Sequence, residues 1–169
     1  MTRKLLTIAF AALAVVPVAF CQPSTDTGTS VLSIAVGPEA SFTSNTATAT
    51  LAGDTKFNAK TAVSNFSYKI RTSQSSGTGS ITMMVTAFGA DGPALSDLTY
   101  GCTVVSPATG CSSGTAVSTS VGTSVANFVS DAHSSDGGDS GSVNWTLVDR
   151  TAVKTGTYTS TATFTISAS

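Results

Sequence analysis

The chain has 169 residues, of which 10% are charged and 41% hydrophobic, and its formal net charge is −1. This balance excludes the strongly basic surface that binding to phosphate backbones requires, so nucleic acid is not expected as a partner. The length fits one domain with its own hydrophobic core.

The first 21 residues have the organisation of a secretory signal peptide. Arg3 and Lys4 form a short basic region, and the apolar run of residues 5–20 is too short for a comfortable transmembrane helix. Small residues at the two positions that signal peptidase inspects, in Ala19-Phe20-Cys21, predict cleavage before Gln22. The mature chain is therefore expected to be secreted, extracellular or at the cell surface, without a membrane segment. Loss of the two basic residues would lower the net charge from −1 to about −3.

Cys21 carries the main alternative for the N-terminus. Lipid attachment to this cysteine would anchor the protein at a membrane, but lipoprotein signals place a small residue before the cysteine, and Phe20 is large. Retention of the uncleaved segment as an anchor is the third interpretation.

Short strand candidates follow one another along the rest of the chain. Residues 22–29 are polar and predict a flexible lead-in, so the single domain is expected to span residues 30–169. Alternating apolar and polar positions between Gly-, Pro- and Ser-rich turns identify the candidates. The predicted strands are residues 31–36, 41–51, 65–72, 80–88, 98–105, one or two within 116–129, then 142–148 and 157–167.

The last candidate strand has the clearest pattern. Every odd position from 157 to 167 is Thr or Ser, and the even positions are heaviest at Tyr158, Phe164 and Ile166. This period of two predicts a half-buried strand with a hydroxylated outer face. We expect it to form a hairpin with residues 142–148, and residues 65–72 to form another with 80–88.

The fold class follows from about seven to nine short strands with turns between them. The pattern predicts an all-β domain, an antiparallel β-sandwich with immunoglobulin-like or related topology. A jelly roll or a closed barrel is the alternative. Cys102 and Cys111 flank a turn-rich segment and, in an exported protein, predict a disulfide that closes a small loop.

Ionisable side chains crowd together in one polar loop. His133, the single histidine, lies among Asp131, Asp136 and Asp139. These carboxylates are calcium candidates, because Ca²⁺ takes six to eight oxygen ligands, although their spacing is not that of an EF-hand. The competing interpretation is a solvated loop with Asx-turns, no metal and no other cofactor. No nucleophile elbow or metal-ligand motif accompanies the histidine, so no catalytic residue is assigned and an enzyme is not expected.

Trp145 has two interpretations. Its side chain would suit a platform for a sugar ring, but Val143 and Leu147 share its face, which favours a core position.

The C-terminal segment resembles a known type of surface protein. Trp145-Thr-Leu147, then Gly156-Thr-Tyr158 and the alternating Phe164-Thr-Ile166 are similar to the C-terminal hairpin of secreted bacterial sandwiches. Spore coat protein U-like and fimbrial subunit-like domains close with such a Gly-x-Tyr and an alternating strand. The resemblance covers residues 145–169 and implies a structural role at the cell surface.

The expected function is therefore that of a non-enzymatic extracellular or cell-surface protein for structure or assembly, fimbrial-like in its sharper form. Its partners would be other surface proteins or further copies of itself, and residues 31–36 would be either a donated strand or the first strand of the same domain. The alternative function is a secreted carbohydrate- or ligand-binding module, with polysaccharide as partner and calcium as an aid.

Overall fold

The computed structural model describes residues 28–111, 113–116 and 119–169. The predicted signal peptide, Cys21 and residues 22–27 of the predicted lead-in lie outside these ranges. Residues 35–169 form the compact β-domain, and residues 28–34 belong to a separate N-terminal unit. In the described ranges no helix is long and apolar enough to cross a membrane.

The described part of the domain contains eight strands. They are β1 Glu39–Ser44, β2 Lys60–Arg71, β3 Gly79–Val85, β4 Leu98–Val104, β5 Thr115–Ala116, β6 Thr123–Phe128, β7 Asp139–Leu147 and β8 Ala162–Ala168, with a 3₁₀ turn at Leu95–Asp97. Sheet A has the order β1-β2-β7-β4-β5, and sheet B has the order β6-β3-β8. All pairings are antiparallel. The predicted all-β antiparallel sandwich is confirmed.

The core lies between the inner faces of the two sheets. Alternate residues of each strand point inward, as the period of two requires. Tyr68 of sheet A meets Phe128 of sheet B edge to face, with ring centroids 5.4 Å apart. The buried apolar side chains are Phe66, Tyr68, Ile70, Ile81, Met83, Val85, Leu98, Tyr100, Val125, Ala126, Phe128, Ala132, Val143, Trp145 and Leu147.

The strand order is related to that of the immunoglobulin fold. In space, β1, β2, β7 and β4 lie in the order of strands A, B, E and D, while β3 and β8 take the places of C and F. The place of strand G, beside F, has no strand in the described part of the chain. The topology differs from the standard fold because β6, which follows β4 in sequence, lies on the other side of β3.

Both predicted hairpins are wrong. The β2 strand lies in sheet A and β3 in sheet B, so the connection of residues 72–78 crosses between sheets. In the same way β7 pairs with β2 and β4, whereas β8 pairs with β3. An alternating strand fits the inner face of either sheet, so alternation alone does not choose its neighbour.

Three predicted strand regions form no strand. Residues 31–36, 45–51 and 157–161 lie outside the eight strands, although residue 52 makes an isolated bridge with Thr61. The apolar side chains of residues 45–49 are small, so alternation there buries little surface. For residues 31–36, the described chain supplies no partner strand.

Candidate functional site at the free edge of the last strand

The β8 strand is an edge of sheet B. It pairs with β3 on one side, with Val85 opposite Ala162 and Gly79 opposite Ala168. In the described ranges no strand pairs with its other side. The described chain therefore leaves seven consecutive residues of one sheet edge without a partner strand.

The hydrogen bonds just beyond both ends of β8 show which backbone groups face outward. Thr86 N–H donates to Thr161 O at 3.0 Å, and Ser169 N–H donates to Thr78 O at 2.9 Å. Hydrogen-bonded and non-hydrogen-bonded pairs alternate in an antiparallel ladder, so the odd-numbered residues of β8 bond to β3. The N–H and C=O groups of the even-numbered residues consequently point to the free edge. These residues are Ala162, Phe164, Ile166 and Ala168.

The same even-numbered residues direct their side chains toward the core, but none of them is fully buried. The neighbouring strand differs sharply. Ile81 lies opposite Ile166 and Met83 opposite Phe164, and both β3 side chains are 0% exposed. The core is thus closed over β3 and left partly uncovered over β8.

Three phenylalanines form an aromatic cluster at this side of the sandwich. The ring centroids of Phe42 in β1 and Phe164 in β8 are 5.5 Å apart, and Phe66 lies 5.2 Å from Phe42 and 6.0 Å from Phe164. Phe66 is buried, whereas Phe42 and Phe164 are partly exposed. The β1 strand is itself the edge of sheet A. The gap between β1 and β8 therefore exposes apolar side chains from both sheets.

The opposite side of the sandwich is closed. Thr109 N–H donates to Asn127 O at 2.8 Å, and Asn127 N–H donates to Thr109 O at 3.3 Å, so a loop residue pairs with the outer edge of β6. The Tyr100 hydroxyl donates to Ser124 O at 2.9 Å. Successive groups along the β6 edge are therefore occupied by residues from β4 and from the loop after it.

The loop that covers β6 is held by a covalent bond. Cys102 and Cys111 form a disulfide with their Cα atoms 6.0 Å apart, which confirms the predicted pairing. The buried Tyr68 hydroxyl donates to Val105 O at 2.8 Å. Burial of Tyr68, with a smaller effect of the Asp139 charge, raises the pKa of its hydroxyl to about 12, so it keeps its proton and remains a donor.

Residues 31–36 carry apolar side chains in a segment with no strand. The side chains of Val31, Leu32 and Ile34 are exposed, Leu32 at 94%. In an extended conformation Leu32, Ile34 and Val36 would share one face, because successive side chains of a strand alternate. The other face would carry Val31, Ser33 and Ala35.

The polar loop uses its carboxylates internally. Asp131 contacts His133 Nε2 at 3.4 Å, and the Ser135 hydroxyl donates to Asp139 Oδ1 at 3.1 Å. Asp136 is exposed. Across the described residues, no three His, Cys, Asp or Glu side chains are grouped so that they could hold a metal ion. The calcium candidates Asp131, Asp136 and Asp139 are thus not brought together as a ligand set.

Trp145 lies in the core, as its neighbours predicted. It is 6% exposed, and its indole Nε1–H donates to Ser64 Oγ at 2.9 Å. A buried indole with its polar group already bonded offers no platform for a sugar ring.

Sequence patterns predicted a strand through residues 162–167 but did not predict that one side of this strand is open. Alternation correctly placed Phe164 and Ile166 on an inward face. Which side of a strand lacks a partner depends on the order of strands in the sheet, and no local pattern encodes that order. The one available signal was the absence of Lys, Pro and other edge-protecting residues in residues 162–168.

Comparisons with protein-family models, with curated proteins and with solved structures found no match.

Proposed function

We propose that this protein is a non-enzymatic structural protein, secreted or held at the cell surface, that assembles by strand addition to the free edge of β8. The observation that carries the proposal is the combination of unpaired backbone groups and partly exposed core side chains on the same four residues of β8. An added strand would pair with the backbone groups through main-chain hydrogen bonds and would cover the exposed side chains through apolar contacts.

The composition of β8 supports this use of its edge. Soluble proteins protect exposed edges with charged residues, proline, bulges or a covering loop. The β8 sequence, Ala-Thr-Phe-Thr-Ile-Ser-Ala, has no charge and no proline, and its register with β3 is continuous. Such an edge would promote uncontrolled pairing unless a specific strand normally occupies it.

We assign residues 31–36 of a second copy as the added strand. This segment is apolar, free of charge and proline, and exposed in its described form. When it is extended, Leu32, Ile34 and Val36 form an apolar face of three side chains. That face matches the partly exposed side chains of Phe164, Ile166 and Phe42 between β8 and β1.

The absence of an enzymatic role is proposed from the positions of the polar groups. Among the described residues, Thr72 is the buried polar one, and its hydroxyl donates to Val129 O at 2.8 Å. Arg150 hydrogen-bonds to Asp97 and lowers the pKa of that carboxyl, which is the behaviour of an ion pair that stabilises structure. An assembly role requires a surface and an edge rather than a reactive group.

The test compares two single substitutions in the donated segment. Ile34→Asp places a charge on the face that would enter the core, whereas Ser33→Asp places the same charge on the opposite face. In size-exclusion chromatography and electron microscopy we expect polymers from the parent protein and from Ser33→Asp, and monomers from Ile34→Asp. Equal assembly of the two variants, or a parent protein that stays monomeric at all concentrations, would reject strand donation.

A further inference from the structure

We infer that residues 102–111, the disulfide-tied segment that we call the edge guard, close the β6 edge, so that of the two outer edges of sheet B only β8 accepts a strand. The consequence for assembly rests on the proposed function. The closure itself can be measured separately, by hydrogen exchange in the protein without any added strand.

The edge guard occupies the β6 edge at several successive positions. Asn127 makes two backbone hydrogen bonds with Thr109, and Asn127 O also accepts from the Thr109 hydroxyl at 3.1 Å. Two residues before Asn127 in β6, Val125 O lies 3.1 Å from the Cys102 Sγ atom. Outside the guard, the Tyr100 hydroxyl occupies Ser124 O. An incoming strand would have to displace all these groups to pair with β6.

The guard is fixed at three points. Its first cysteine belongs to β4, and the disulfide returns the chain to that strand at Cys111. Between the cysteines, Val105 O accepts from the buried Tyr68 hydroxyl and from Ala108 N–H at 3.0 Å. Ala108 packs against the core. The disulfide adds a covalent closure to a loop that Val105, Ala108 and Thr109 also hold over β6.

The two outer edges of sheet B therefore differ in kind. The β6 edge is covered by a tethered loop, and along the described chain nothing equivalent covers β8. With one accepting edge in sheet B and one donated segment per copy, assembly through sheet B produces an unbranched chain of subunits. A second accepting edge would permit branching and irregular aggregation.

The experiment uses the full chain with Ile34→Asp, which cannot donate its own segment, and replaces both cysteines by serine, Cys102→Ser with Cys111→Ser. A second pair of variants keeps the disulfide: Thr109→Pro removes the N–H that bonds to Asn127, and Thr109→Ala retains it. The readouts are hydrogen exchange at the Asn127 amide and the number of synthetic peptides of residues 28–38 bound per protein molecule. We expect exchange at Asn127 to be at least about tenfold faster in the serine variant and in Thr109→Pro than in Thr109→Ala. We expect peptide binding to rise from one to two per molecule in the first two variants.

Unchanged slow exchange at Asn127 in the variant without the two cysteines would overturn the inference that the edge guard closes β6, regardless of how many peptides bind. Faster exchange with still one peptide bound would show that the opened β6 edge accepts no strand, which also overturns the inference. A peptide that fails to bind the Ile34→Asp protein with its disulfide intact would instead refute the proposed function. The Asn127 exchange rate would then still decide whether the guard closes β6.

Discussion

Phe42 and Phe164 stack across the open side of the sandwich, with ring centroids 5.5 Å apart and an angle of 18° between the ring planes. They belong to the edge strands of different sheets, so this contact links β1 to β8 through apolar side chains. Both rings remain partly exposed. The contact therefore joins the two edge strands while part of each ring stays accessible to solvent.

The first prediction concerns this contact. Phe164→Ala should lower the free energy of unfolding by about 2 kcal/mol, less than the roughly 3–5 kcal/mol for a fully buried phenylalanine, because part of the ring is already in water. Thr165→Ala, on the outer face of the same strand, should change it by about 0.5 kcal/mol or less. Urea unfolding of monomeric protein measures both. Equal effects at the two positions would contradict the assigned inward face of Phe164.

The free backbone groups of β8 lead to a second prediction. Ile166→Pro removes an N–H that points to the open edge, so it should leave the pairing with β3 intact and block an incoming strand. Ile166→Ala loses similar apolar surface and keeps the N–H. We expect Ile166→Ala to retain assembly and Ile166→Pro to lose it, in size-exclusion chromatography at matched concentration.

The stability of Ile166→Pro is the control. Urea unfolding should place it within about 1 kcal/mol of Ile166→Ala, since proline is tolerated on the solvent side of an edge strand. A much larger loss would mean that the Ile166 amide bonds to β3, and the assigned direction of the backbone groups would be wrong.

Trp145 is the subject of a third prediction. The chain has one tryptophan, so its fluorescence should report a buried indole, with emission at short wavelength and slow quenching by acrylamide. Trp145→Phe and Ser64→Ala break the same hydrogen bond and should each cost about 1–2 kcal/mol. The double variant should cost less than the sum of the two. Retention on insoluble polysaccharide that Trp145→Phe abolishes without unfolding would contradict the core assignment.

The fourth prediction concerns alkaline pH. Burial raises the pKa of Tyr68 from 10.0 to about 12, so the unfolded state ionises first as the pH rises. The stability contributed by the protonated hydroxyl is complete below pH 10 and is lost as the pH rises through 12. Burial also raises the pKa of Tyr100, so the parent protein alone does not isolate the effect.

The variant Tyr68→Phe separates the contribution of Tyr68 from that of Tyr100. At pH 8 this variant should be about 1 kcal/mol less stable than the parent, because Val105 O loses its donor. Between pH 10 and 12 the difference should shrink and then reverse, by up to about 2–3 kcal/mol in total. A difference that is constant over this range in urea unfolding would contradict the raised pKa.

Sequence reasoning recovered the parts of this fold that depend on local pattern. Alternation located β4, β7 and the inner faces of β2 and β3. The two cysteines predicted a loop closed by a disulfide. It placed Trp145 in the core from its neighbours alone. Each of these properties is decided within a few residues along the chain.

The errors concern relationships between distant segments. Turn-like sequences between alternating strands predicted two hairpins. In the structure, however, the connection from β2 to β3 and the connection from β7 to β8 each run from sheet A to sheet B. Residues 157–161 alternate as cleanly as residues 162–168 but lack a partner strand. Pairing depends on the global order of strands, and for that reason the open edge of β8 could not be derived from its own sequence.

The most direct test of the central claim is hydrogen exchange along β8 as the peptide of residues 28–38 is added to the Ile34→Asp variant, which cannot donate its own segment. We expect the amides of Phe164 and Ile166 to become protected at saturating peptide, while the Thr165 amide, already bonded to β3, exchanges as before. Exchange at Phe164 and Ile166 that the peptide does not slow would contradict strand addition at this edge.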